Sequence, residues 1–482
     1  MKIDLRSMLL CAGMAIGPMA AAQQQANQLS PYIKENAPSL VLEHVRTIDG
    51  TGREPQEDMR VDIANGKIIA VQPASAHAPY PAGAKVLDLT GKTLIPGLIG
   101  MHEHLFYPLP QRPTGGLALY GEAADSAPRL YLAGGVTTAR TGGSLEPYTD
   151  LELKAAIDAG KIPGPALDVT GPYLEGKDTF AIQMHQLANP EDAARTVDYW
   201  AAEGVTSFKA YNYLTGDELK SAVEHAHAHG LKITGHLCSI GFTQAAGLGI
   251  DNLEHGLLVD TEFYPGKKPD QCPSQGATLA YMDKNLDVTG PEVRAMIANL
   301  VTHHVAITST LAIFETFGPG RPPMARENAA LKTLTVEAAK EYLTTRTIVG
   351  ERVSDTLLKK EMQFEREFVA AGGLLMAGCD PTGYGGVVPG FGDQRNIELL
   401  VEAGFSAVEA IRIGSLNGAV FMGKSSTVGS IAVGMNADLV VLGGNPAEKI
   451  ENIEKVEMVF KNGVGYDPAK LIDSVTGLVG LR

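Results

Sequence analysis

The stretch Leu94-Ile95-Pro96-Gly97-Leu98-Ile99-Gly100-Met101-His102-Glu103-His104-Leu105 decides how this chain is read. It is an apolar run of strand length, broken near its end by two imidazoles at i and i+2. A strand's period of two points both to one face. Two histidines on one face of an apolar strand make a natural pair of metal ligands, and Glu103 between them must point the opposite way. A chance His-x-His in a loop is the competing reading, so the pair needs company from elsewhere.

Downstream of this stretch, short apolar runs alternate with helix-like patterns. Counting LIPGLIGMHEHL, the candidate strands are GVTTARTGG (135–143), ALDVTGPYL (166–174), TSFKAY (206–211), KITGHL (232–237), DNLEHG (251–256), VAITST (305–310) and LLMAGCDP (374–381). Between them lie helical stretches such as GDELKSAVEHAHAHG (216–230). Eight βα repeats over residues 96–424 predict an α/β fold, a (β/α)8 TIM barrel with insertions. An open doubly wound sheet is the alternative, but no GxGxxG stands at a strand-to-helix turn.

Both chain ends read as β. Residues 39–95 hold three alternating runs with Asn65-Gly66 between two of them, and 425–482 hold two more with Asn462-Gly463. Asn-Gly marks a tight hairpin because both residues tolerate positive φ. The two ends are expected to build one small β-sandwich domain. Residues 23–38 are polar and without periodicity, a linker. Residues 1–22 have the pattern of a signal peptide: Lys2 and Arg6, an apolar Met8–Ala22, and a small-residue site at Ala20-Ala21-Ala22. Cleavage near Ala22 would send the chain to the periplasm or outside the cell. No later stretch predicts a membrane span.

Of the 482 residues, 44% are hydrophobic and 20% charged, as in an ordinary globular protein. The net charge of −15, with no basic run, argues against nucleic acid as a partner. Beyond Cys11 of the leader the chain has Cys238, Cys272 and Cys379. Three thiols make no disulfide framework and no paired CxxC zinc site, and Cys238 and Cys379 read as small core residues.

In a barrel the ends of the strands face the active site. Besides His102 and His104, predicted strand ends carry Lys209, His236, His255 and Asp380. A lysine turned inward loses solvation, which favours its neutral amine. Each residue alone could be a capping or core residue. Together, six metal-capable or activatable side chains at the ends of five strands are hard to dismiss. The 125 residues from His255 to Asp380 cover two repeats and imply an insertion, placed at 258–300. His225, His227 and His229 lie on a polar helix and face solvent, and His303-His304 precede a strand.

The order His-x-His, Lys, His, His, Asp closely resembles the amidohydrolase superfamily, in the branch related to imidazolonepropionase and to metal-dependent prolidase-like dipeptidases. LIPGLIGMHEH, GVTTAR, NLEHG and GSIAVGMNADLVVL (429–442) also match. The resemblance implies two divalent metal ions, usually zinc. His102, His104 and Asp380 would hold one, His236 and His255 the other, and a carboxylated Lys209 would bridge them. It implies hydrolysis of the amide bond of dipeptides or N-acyl amino acids, aromatic amide toxins such as ochratoxin A included. A water activated between the metals would attack, with Asp380 as general base and then general acid. Hydrolysis of a cyclic amide, lactone or imine at the same site is the alternative, as is a binding protein without turnover. A homo-oligomer acting on a small molecule is expected.

Two departures stand out: relatives often have Asp where this chain has Gly100 and, after the GVTT-x-R motif, where it has Thr141. The usual carboxylate near the first histidine is therefore missing or supplied elsewhere. For the substrate, Arg140 is a candidate for binding a carboxylate, with a structural ion pair as its alternative. Tyr211, Tyr213 and Tyr384 are candidate pocket residues, and Gly383–Gly392 is either a lid-type loop or a plain surface loop.

Overall fold

The computed structural model describes residues 29–109, 118–179, 181–350 and 355–480. The proposed leader lies outside them. Both chain ends enter one nine-stranded sheet, in the order Ile33–Glu35, Val464–Tyr466, Val456–Lys461, Leu439–Leu442, Thr93–Pro96, Ser39–Thr47, Gln56–Ala64 and Lys67–Pro73. The strand Lys85–Asp88 pairs beside Ser39–Thr47. Asn65-Gly66 and Asn462-Gly463 both turn with positive φ, between 49° and 79°, as two-residue hairpins require. One expectation changes: Ile33–Glu35, inside the supposed linker, is a strand antiparallel to Val464–Tyr466. Three residues are too short to show a period, so only the distant partner defines this strand.

The middle of the chain forms parallel strands wrapped by helices. Leu98–Glu103, Val136–Thr141 and Ala166–Asp168 make one sheet. Thr170–Leu174, Ser207–Ala210, Lys232–Gly235, Asn252–Glu254, Ala306–Ser309 and Leu375–Ala377 make another. The expected third strand is thus split at Val169, and the ladder changes sheet there, so the strands do not close into one continuous barrel ladder. Isolated bonds join the two sheets. Ser144 N–H donates to Gly171 O (3.1 Å) on one side, and Asp380 N–H to His102 O (3.0 Å) on the other.

A core of Ile, Leu, Val and Phe side chains fills the space between strands and helices. The segment between His255 and Asp380 carries extra helices where the insertion was expected, at 258–300, and also beyond it. Helices Gln275–Asn285 and Pro291–Thr302 precede Ala306–Ser309, and four more, from Leu311–Glu315 to Thr356–Ala370, follow it. Among the described residues no helix is long and apolar enough to cross a membrane.

Candidate active site

The six residues picked from strand ends come together. His102 Nε2 and His104 Nε2 lie 3.7 and 3.3 Å from Asp380 Oδ1. His255 Nδ1 is 3.7 Å from Asp380 Oδ2. The His255 ring is centred 4.6 Å from that of His102 and 4.5 Å from that of His236. Lys209 is buried below them, its Nζ 3.8 Å from Glu254 Oε1. Backbone geometry explains why strand parity alone could not place all six. Asn252 and Glu254 share the interior face of their strand. His255 then takes a left-handed φ of 69°, so it reaches the same site as its neighbour Glu254. Asp380 does likewise, at φ 51°.

Burial sets the protonation states. It pulls His102 down to about 4 and His236 down to about 3, with Lys209 adding repulsion. His255 falls well below its ordinary value by burial and its histidine neighbours. These rings are neutral at pH 7, with lone pairs to offer. Burial also lowers Lys209 to about 8, against the pull of Glu254. For Asp380 burial works toward protonation, but His102, His104 and His255 outweigh it and hold the carboxylate ionised.

The donor set fits metal ions on a further observation: His104 Nδ1 and Lys209 Nζ are buried without a hydrogen-bond partner. Such orphaned polar atoms are costly unless a ligand or modification satisfies them. His102, His104 and Asp380 also offer atoms within 4.8 Å of one another.

Glu254 stands out as a residue that the strand-end reasoning passed over. Its fully buried carboxylate accepts from His102 Nδ1 (2.7 Å), from Arg140 Nη2 (2.7 Å) and from Thr234 Oγ1. Burial would raise its pKa, but Lys209, Arg140 and His102 hold it well below the ordinary carboxylate range. This is the carboxylate expected near position 100. A side chain at Gly100 would collide with Glu103, whose Cγ and Cδ lie 2.7 and 2.8 Å from where a Cβ would be. Glu103 does point away from the histidines, accepting from Cys379 N–H (3.1 Å). His255 is held by Thr310, whose Oγ1 is 2.7 Å from Nδ1.

The substrate candidates divide. Tyr211 and Tyr213 line a cavity of about 590 Å³ whose floor includes His236, His255 and Asp380. Arg140 is a correction: it is 1% exposed, donates to Met101 O and Glu254, and does not reach that cavity. The structural ion pair is the right reading of it. Tyr384 is another, since its hydroxyl donates to Thr316 O and its ring lines a separate cavity beside Tyr107. Cys238 is a third. It forms a disulfide with Cys272, Cα atoms 4.9 Å apart, at the cavity edge, whereas Cys379 is a free buried thiol. A separation of 34 residues gave no hint of that pairing. Tyr120, Phe314 and Phe317 also line the cavity and had no sequence signal. His225, His227 and His229 sit half-exposed on the outside, paired with Asp198 and Asp251.

Comparison with known proteins agrees with this geometry. The imidazolonepropionase of Geobacillus kaustophilus is 28% identical over 192 residues, 38% of this chain and 42% of that one. Across the curated relatives, the matched part spans only 12% to 42% of their own length. Among solved structures, a Xaa-Pro dipeptidase with bound methionine superimposes with a TM-score of 0.63 at 19% identity, over 89% of this chain and 99% of that one. The ochratoxinase of A. niger does so with a TM-score of 0.62 at 18% identity, over 89% and 96%. At such identities the likeness shows the fold. The model of the Amidohydrolase family matches residues 93–464, and the chain belongs to that family of metal-dependent hydrolases of carbon–nitrogen bonds.

Proposed function

We propose that this protein hydrolyses the amide bond of dipeptides or N-acyl amino acids, ochratoxin-type aromatic amides included. The observation that carries the reading is the convergence of His102, His104, Lys209, His236, His255 and Asp380, of which His236, His255 and Asp380 line one ligand-sized cavity. His102, His104 and Asp380 would hold one divalent ion and His236 and His255 another, zinc in this reading, with Lys209 between them. Bound there, the ions would activate a water and polarise the scissile carbonyl.

The chain's own residues supply the rest. Lys209, with its amine lowered to about 8, has a neutral fraction at pH 7 that can add carbon dioxide, losing a proton and gaining an anionic carbamate. Glu254 fixes the tautomer of His102 by taking its Nδ1 proton into a hydrogen bond, which leaves Nε2 free. Asp380, ionised and beside three imidazoles, would accept the proton of the attacking water and return it to the departing nitrogen.

The two parallel sheets are, in this reading, arcs of one (β/α)8 barrel over 96–424. Residues 39–95 and 425–482 form the small β domain, residues 1–22 a leader to the periplasm or beyond, and the working protein is a homo-oligomer. The match to an imidazolonepropionase favours cyclic amides as the second substrate class. Both are tested by incubating the zinc-loaded protein with dipeptides, N-acyl amino acids and cyclic amides while measuring released amine. Release from the first two groups is expected. No release from any of the three would sink the proposal.

A further inference from the structure

The cavity above the ligand cluster has two unlike flanks. Toward His236 it is lined by Tyr211, edge-on to His236 at 4.9 Å between ring centres, and Tyr213 and Tyr120 also line the cavity, Tyr120 packed on Phe106 at 5.1 Å. Tyrosine hydroxyls let this flank hydrogen-bond as well as pack. Thr261, Gln275 and Thr278 also line the cavity; its apolar side chains are Phe314, edge-on to His255 at 5.9 Å between ring centres, together with Ile313, Phe317, Leu258 and Leu279. None of these five side chains carries a polar atom.

Asp380 Oδ2 lies 3.7 Å from Nδ1 of His255, the ring that Phe314 meets edge-on. Thr382 and Gly383, just after it, line the same cavity. A Cβ at Gly383 would lie 2.8 Å from Ile313 Cδ1 and 3.8 Å from Phe317 Cζ. A carboxylate that returns a proton to a departing nitrogen must lie beside that nitrogen. The group carried by the nitrogen is then directed onto Ile313, Phe314 and Phe317, while the acyl side meets the tyrosines. The cavity, about 590 Å³, has room for both parts.

We propose that the leaving amine of the substrate bears a phenyl-sized apolar group that packs against Ile313, Phe314 and Phe317, so that the enzyme selects amides of aromatic or bulky apolar amines and amino acids. The inference rests on the amide-hydrolase reading and on Asp380 as the proton donor. Burying a ring of this size is worth about 30-fold in selectivity, or about 2 kcal/mol.

The test uses two uncharged amides that differ only in the leaving amine, N-acetyl-2-phenylethylamine and N-acetylethylamine. Calorimetry measures in parallel the binding of 2-phenylethanol and ethanol, uncharged analogues of the departing groups. The phenyl amide should be preferred about 30-fold in kcat/KM, and 2-phenylethanol should bind the tighter. Phe317→Ala should cut the preference at least threefold on the same scale, and so should Leu279→Ala, a milder change in case the first variant fails to fold. A preference below about threefold, or one unchanged in both variants, would overturn the inference. If neither amide is cleaved, the hydrolase reading fails for amides of this kind. The alcohols still decide: equal binding, or a 2-phenylethanol preference unchanged in both variants, overturns the apolar flank, and a preference that Phe317→Ala or Leu279→Ala cuts at least about threefold supports it.

Discussion

Glu254→Gln should damage the protein in two separable ways. The carboxylate is fully buried and holds His102 at 2.7 Å and Arg140 at 2.7 Å. Gln has one acceptor oxygen where Glu has two, so it can serve Arg140 or His102 but turns an NH2 group toward the other. Removing one partner of a buried ion pair costs about 3–5 kcal/mol, because the remaining charge stays desolvated. Here Arg140 keeps Met101 O as an acceptor at 2.9 Å from its Nε, which places the expected loss near about 3 kcal/mol. Freeing a ligand histidine from its orienting carboxylate costs about 10–100-fold in metal affinity. Denaturant unfolding of the metal-free protein reads the first effect, and zinc titration against a competing chelator reads the second. Zinc affinity within about twofold of wild type would refute the claim that Glu254 replaces the carboxylate absent at Gly100, whatever happens to stability.

Three further outcomes are expected. Asp380→Asn should lower kcat by about 10²–10⁴-fold, since an amide cannot shuttle the proton, and more if a metal ion is lost as well; turnover within about tenfold of wild type would exclude Asp380 as the acid–base group. Lys209→Ala should reduce the zinc bound per chain, measured by inductively coupled plasma analysis, and full occupancy in that variant would remove Lys209 from the ligand set. Burial raises Asp438 to about 6, although Asn462 N–H donates to it at 2.6 Å. The folded state therefore holds this proton more tightly than the unfolded chain, and stability should fall as pH rises from about 4 through about 6, by up to roughly 3 kcal/mol. Asp438→Asn keeps an oxygen for Asn462 and should remove that part of the pH dependence, with greater stability than wild type above pH 6. An identical pH profile in the two proteins would show that Asp438 does not titrate in this range.

Much of the site was legible because its residues lie where periodicity breaks. His102, His104, Lys209, His236, His255 and Asp380 interrupt apolar runs at their ends, and a polar group there needs a reason that burial alone does not supply. The hairpins at Asn65-Gly66 and Asn462-Gly463 were legible for a different reason: the conformation is a property of the dipeptide itself. The same local logic misled at Arg140. A strand-end position says that a side chain faces inward, not whether a partner already awaits it, and Glu254 is 114 residues away.

By itself, then, the amino-acid sequence determined the alternating α/β order, the β character of both ends and the set of candidate metal ligands, all consequences of local periodicity and residue chemistry. Tertiary structure alone decided who meets whom. It put Glu254 under His102 while Glu103 fills the space beside Gly100, and it joined Cys238 to Cys272 at the cavity edge. It broke the third strand at Val169, so that the parallel strands form two sheets. It also gathered Tyr120, Tyr211, Phe314 and Phe317 from separate segments into one cavity wall. Contacts between residues far apart in the chain depend on how elements pack, and no pattern of period two or 3.6 carries that information. The His102–Glu254 pair, 152 residues apart, is such a contact.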